Sequence, residues 1–197
     1  MTLRDFAVRY AAAITELGAP ADVLGVSTGG SIAQLLAAEH PHVVRRLGLL
    51  STGCRLSPEL LALQAEVARL LGHGATRSAV SLMVRAVAPP LGAPLAGWVG
   101  WLMARGLAAE GSAANDLRLT LEAEDGFDLA RCSGRIQAPT LVVGGGRDRF
   151  YPRWLFEETA RMIPGSQLLL RPRRGHVGVA SDRRTLAHLT GFFTTAA

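Results

Sequence analysis

The sequence predicts an α/β fold, a parallel sheet flanked by helices, with a helical insertion in its middle. Three observations predict it. The opening residues read helix, strand, helix, strand, and that order favours parallel strands joined by right-handed crossovers. The closing residues resume the same alternation. Between them lies a long stretch with helical periodicity and no convincing strand. At 197 residues with an apolar share of 49%, the chain can bury a real core.

The first element is a helix. Leu3, Phe6, Ala7, Tyr10, Ile14 and Leu17 share one face, Thr2 and Asp5 form a capping box, and Gly18 with Pro20 marks the stop. Asp22 to Val26 is a short apolar run and reads as a buried strand. Ser27-Thr28-Gly29-Gly30 turns the chain, Ser31 to Glu39 forms a second helix ended by His40-Pro41, and Val43 to Leu50 a second strand. From Ser57 to about Asp125 the leucines and valines predict helices over Leu60–Leu71, Val80–Val87 and Trp98–Leu107, with a break at Pro89, Pro90 and Pro94. Thr140–Val143 is then a strand, Trp154–Met162 a helix and Gln167–Leu170 a strand. Ser181 is expected to cap a last helix carrying Leu186, Leu189, Phe192 and Phe193. This divides the chain into core residues 1–55, an insertion at 56–124, and core residues 125–197.

The net charge is +5 and every basic side chain is arginine. The arginines are scattered, without an aromatic-interleaved face, so a nucleic-acid partner is not expected. The densest run, Arg171, Arg173 and Arg174, lies beside a candidate site residue and could meet an anionic group or merely form a solvated turn. Cys54 and Cys132 are too few for a disulfide framework. No set of residues stands at zinc-ligand spacing, so neither metal nor organic cofactor is expected. Met1 leads into a capped amphipathic segment rather than a signal sequence, and no apolar run reaches spanning length. A cytoplasmic protein without a membrane span is the expectation.

Gly25-Val26-Ser27-Thr28-Gly29 has the pattern Gly-x-Ser-x-Gly between a predicted strand and a predicted helix. Such a turn holds the serine in a strained, exposed conformation. Gly25 and Gly29 are read as the small flanks that the sharp turn needs. The Thr28 N–H, at the helix start, can face a developing oxyanion. A serine nucleophile needs a base, and the base an orienting acid. His176 follows the last predicted strand, and Asp148 follows the strand before it. All three lie past the carboxyl ends of strands, where sites of open parallel sheets gather. His40, His42, His73 and His188 are better read as structural or solvent-facing, and Asp182 as a charge at a helix start.

These stretches carry a resemblance. GVSTGGSIAQLLAAEHPHVVRRLGLL resembles the nucleophile region of α/β-hydrolases of the esterase, lipase-like and enol-lactone-hydrolase kind. APTLVVGGGRDRFYP is similar to their acid-bearing strand and loop, and IPGSQLLLRPRRGHVGV to their last strand and histidine loop. Residues 56–124 correspond to the family's variable cap, which usually shapes the substrate pocket. Trp98, Trp101 and Met103 suggest an apolar pocket there, or else the cap's own core. In the family the nucleophile follows a strand deep in the sheet, whereas here it follows the first strand read. The upstream loop that gives a second oxyanion N–H, often His-Gly, is not found before Ser27.

The resemblance implies a Ser27–His176–Asp148 triad that hydrolyses a carboxylic ester or lactone of a small-molecule substrate through an acyl-enzyme. Acyl transfer, carbon–carbon bond hydrolysis, and a truncated or non-catalytic protein of the same scaffold are the alternatives. Without the upstream strands, the Asp22–Val26 strand is expected at the sheet edge, inviting self-association and a marginal fold. The lost oxyanion donor is expected to cost roughly 100- to 1000-fold in turnover.

Overall fold

The computed structural model describes residues 2–88, 92–109, 111–132 and 136–195, with 103, 105–109, 111 and 112 described through their helical backbone alone. The chain forms two compact units, Met1–Leu56 with Phe127–Ala197, and Ser57–Gly126.

The first unit is built on a parallel sheet of four strands in the order β1 (Ala21–Val26), β2 (Val44–Leu50), β3 (Thr140–Gly145) and β4 (Gln167–Arg171). Its helices are α1 (Leu3–Glu16), α2 (Thr28–Glu39), α7 (Arg153–Met162), α8 (His176–Ala180) and α9 (Arg183–Thr194). The pleat sorts alternate residues to opposite faces. On one face Leu50, Leu141 and Val143 join Val179 of α8 and Leu189 of α9, with Phe192 and Phe193 packed alongside. On the other, a Cβ at Gly25 would fall 2.6 Å from Ala33 of α2, and one at Gly144 2.4 Å from Phe156 of α7. Central β3 is buried along its whole length, as a strand covered on both faces must be.

Strand β1 stands at the sheet edge. Its Leu24 and Val26 are 47% and 43% exposed. In a parallel pair the N–H and C=O of one residue point the same way, and alternate residues point oppositely. The Ser27 N–H bonds Leu50 O at 3.0 Å. Gly25 and Val23 therefore also face β2, whereas the backbone groups of Leu24 and Val26 point away. Among the described residues, no strand lies on that side.

The second unit contains α3 (Pro58–Gly72), α4 (Thr76–Val87), α5 (Ala93–Ala109) and α6 (Gly111–Glu124). Ser57 caps α3 by accepting from the Leu60 N–H at 3.2 Å. The core is Val67, Leu71, Ala79 and Leu121. Glycines let α4 and α5 approach closely: a Cβ at Gly100 would fall 2.9 Å from Val84. A buried hydrogen bond joins α3 to α6, from Gln64 Nε2 to Glu124 Oε2 at 3.1 Å.

Several sequence expectations need correction. Helix α6 was not foreseen, because its buried and half-buried positions Ala114, Leu117 and Leu121 are outnumbered by polar neighbours. The predicted third helix starts earlier, at Ala93. Pro89 and Pro90, read as a break, and the side chain of Met103, read as pocket lining, lie outside the described residues. Trp98 and Trp101 are 60% and 41% exposed, so neither belongs to the cap's own core. The Arg77 guanidinium lies 4.8 Å from the Trp101 ring centroid. The last helix is capped by Asp182, which accepts from the Thr185 N–H, and not by Ser181. Thr2 and Asp5 do form the capping box of α1. Among the described residues, no helix is long and apolar enough to cross a membrane.

Candidate active site

Ser27 is the single residue between β1 and α2, with φ 51° and ψ −127°. A non-glycine residue rarely takes a positive φ, and here two backbone bonds hold it. Its N–H donates to Leu50 O, and its carbonyl accepts from the Gly30 N–H at 2.7 Å. Glycine is needed where helix meets strand. A Cβ at Gly25 would lie within 2.7 Å of Gly29 O and Gly30 Cα, and one at Gly30 2.3 Å from Thr52 Cγ2. Gly29 does not share that need, since a Cβ there would meet nothing within 4 Å. The steric reason expected at Gly29 belongs to Gly30, which packs on the loop after β2. Thr28 is the first residue of α2, at the end toward which the helix's N–H groups point.

Asp148 follows β3 in a tight turn, its N–H donating to Gly145 O at 3.1 Å. Its side chain is fully buried. Oδ1 accepts from the Phe150 and Tyr151 N–H groups at 2.9 and 3.1 Å, leaving Oδ2 for His176.

His176 is the first residue of the short helix α8, not a loop residue as the sequence suggested. A helix of that length is too short to show periodicity. The imidazole Nδ1 lies 2.9 Å from Asp148 Oδ2, and Nε2 lies 3.2 Å from Ser27 Oγ. A carboxylate only accepts, so Nδ1 carries the proton and Nε2 is left to accept from the serine hydroxyl. Two aromatics pack against the ring. Tyr151 stacks on it at 5.9 Å and 17°, and Phe150 approaches at 4.9 Å with a 55° tilt.

Sequence reasoning passed over Ser51, Phe150 and Tyr151. Ser51 follows β2 with φ 52°, and its Oγ donates to the His176 carbonyl at 2.8 Å. Its position one residue past a strand end was the available signal. Phe150 and Tyr151 could have been suspected from two aromatics between Asp148 and Pro152.

The remaining candidates are not at this site. His73 and His188 are exposed, and His40 and His42 lie edge-to-face at 6.4 Å. Asp182 caps α9 and pairs with Arg174 at 2.8 Å. Burial raises its carboxyl, but hydrogen bonds from Arg174 and Thr185 and the Arg174 charge outweigh that and hold it below the usual carboxylate range. Cys54 is fully buried, and burial pushes its thiol up, which disfavours a nucleophilic thiolate. No cluster that could hold a metal ion occurs among the described residues.

The profile of the Alpha/beta hydrolase family matches residues 1–189. The chain belongs to the alpha/beta hydrolase family. This α/β-hydrolase chain is 31% identical over 183 residues to a pimeloyl-[acyl-carrier protein] methyl ester esterase of Neisseria meningitidis serogroup A, covering 90% of the chain. It spans 58% of the length of that relative. The hydrolase fold is shared with MGS-M2, an alpha/beta hydrolase from a deep-sea metagenome library. The TM-score is 0.85 at 19% identity, over 100% of this chain and 74% of that one. It is shared too with the enol-lactonase of Burkholderia xenovorans, with a TM-score of 0.73 at 24% identity and the same coverage.

Proposed function

We propose that the chain carries the reacting groups of a serine hydrolase that cleaves a carboxylic ester or lactone. The observation that carries this reading is the continuous hydrogen-bonded line from Asp148 Oδ2 through the His176 ring to Ser27 Oγ. In this mechanism Ser27 Oγ attacks the carbonyl carbon as His176 Nε2 takes its proton. Asp148 fixes the tautomer and steadies the imidazolium. The carbonyl oxygen becomes an oxyanion, and the Thr28 N–H donates to it. The tetrahedral adduct collapses, and His176 passes its proton to the departing alkoxide, leaving Ser27 acylated. Water then attacks the acyl carbon, giving up its proton to His176, and the acid leaves as Ser27 is reprotonated.

The meningococcal relative is named for a methyl ester on an acyl chain, which makes acyl methyl esters the first substrates to try. Cys54 and Cys132 are both buried and unbridged, which suits the reducing cytoplasm. The test is a panel of p-nitrophenyl esters of graded acyl length. The reading expects a p-nitrophenol burst of one equivalent per protein, then slower turnover that ends in the free acid. Turnover unchanged in Ser27→Ala would contradict it.

A further inference from the structure

The loops that hold Asp148 and His176 carry more positive charge than their architecture uses. Residues 145–150 read Gly-Gly-Arg-Asp-Arg-Phe, and 171–175 read Arg-Pro-Arg-Arg-Gly. The two loops are laced together. The Gly146 N–H donates to Arg171 O and the Arg147 N–H to Arg174 O, both at 2.9 Å. Packing is so close that a Cβ at Gly145 would fall 2.4 Å from Arg174 O. Five arginines therefore issue from one braced surface beside the reacting groups.

They are not equivalent. Arg171 and Arg174 share the Asp182 carboxylate, at 3.5 and 2.8 Å. Asp148 is turned inward and engaged by His176 and two backbone N–H groups. Arg147, Arg149 and Arg173 are exposed, and none forms an ion pair among the described residues. The two loops and Asp182 together keep a surplus of three positive charges, against a net +5 for the whole chain. Elsewhere in this unit Arg4 pairs with Glu39, Arg45 with Asp22, Arg55 with Glu158 and Arg153 with Glu157, whereas the exposed Arg9, Arg131, Arg161, Arg183 and Arg184 form no ion pair among the described residues; what distinguishes Arg147, Arg149 and Arg173 is their place on the two loops that carry Asp148 and His176.

We infer that Arg147, Arg149 and Arg173 form a rim that selects esters bearing a second, anionic group, a carboxylate or a phosphate, remote from the scissile bond. The inference rests on the reading of Ser27 as the nucleophile. Guanidinium groups pair with both anions through paired N–H donors and stay charged at any working pH. An unmatched cationic rim also raises the local concentration of anionic substrate, an effect that weakens with salt.

The test uses methyl esters of equal chain length: neutral methyl hexanoate, monomethyl adipate, and the methyl ester of an ω-phosphorylated hexanoate, followed by methanol release. The wild-type chain should show higher kcat/KM for the anionic esters, and added salt should shrink the advantage. Arg147→Gln/Arg149→Gln/Arg173→Gln should cut that advantage roughly tenfold and leave methyl hexanoate hydrolysis unchanged. Arg173→Gln alone is the second variant, since this exposed side chain forms no ion pair whose loss could unfold the protein. An advantage for either anionic ester that shrinks with salt and in the variants supports the rim, and the larger one names the preferred group. No advantage for either anionic ester, equal losses on neutral and anionic esters, or an advantage indifferent to salt and to both variants, would overturn it. If all three esters turn over equally well in Ser27→Ala, the functional reading fails instead of the rim.

Discussion

Two serines with positive φ grip the same histidine. Ser27 and Ser51, at 51° and 52°, close the carboxyl ends of adjacent strands. One faces His176 Nε2 and the other bonds its carbonyl. Backbone strain of this kind costs about 1–3 kcal/mol per residue and persists only where the surroundings enforce it. Asp148 is fixed as firmly, with one oxygen held by two N–H groups and the other by the imidazole. In the proposed mechanism His176 and Asp148 act on one proton. His176→Ala and Asp148→Asn should each lower kcat by roughly ten-thousandfold, with the far-ultraviolet circular dichroism unchanged. The double variant should be little worse than the worse single one, because residues that act as a unit are not additive. Steady-state rates of the three variants check this, and fully additive losses would separate the two residues. The positions of Ser27, Asp148 and His176 past strand ends were legible from motif, order and topology. The crowding at Gly30 was not, because it depends on Thr52, distant in sequence and brought near only by β2.

At the scale of elements, legibility followed the strength of local signals. Strands β1, β3 and β4 are short, largely apolar runs next to proline or glycine, β2 carries the apolar run Leu47–Leu50, and α1 announces itself with a capping box. Helix α6 was missed because its apolar stripe is thin, and α8 because it is short. The exchange of Ser181 for Asp182 as the α9 cap shows why adjacent capping residues cannot be ranked locally. Asp182 wins because Arg174, from the histidine loop, pairs with the same carboxylate. That pairing has a pH consequence. A carboxyl depressed in the folded state stabilises it fully above the unfolded value of about 3.9. The contribution is lost as pH falls through the lower folded value. Asp182→Asn keeps a capping oxygen but removes the charge. Its thermal midpoint should lie below wild type at neutral pH, and the gap should close as the pH falls below that range. A gap that persists in acid would show that the cap, and not the charge, matters.

For the whole molecule, the edge that β1 leaves unpaired among the described residues is the feature with the widest reach. Leu24, whose backbone groups face outward there, lines an apolar groove of about 280 Å3 with Tyr10, Ile14, Val23, Ile32 and Leu36. An exposed edge with apolar flanks invites strand pairing between copies. The purified chain should therefore sediment as more than a monomer, and Leu24→Lys should shift it toward monomer; identical monomeric profiles for both would refute this. The exposure of Trp98 and Trp101 was not legible in the sequence, since helical periodicity alone cannot tell a packed stripe from an open one. In the proposed chemistry Ser27, activated by His176, is the nucleophile. Covalent labelling by a fluorophosphonate, located by peptide mass spectrometry, should give one adduct, on Ser27, lost in Ser27→Ala and strongly slowed in His176→Ala. Labelling at another residue, or labelling of Ser27 at the same rate without His176, would contradict it.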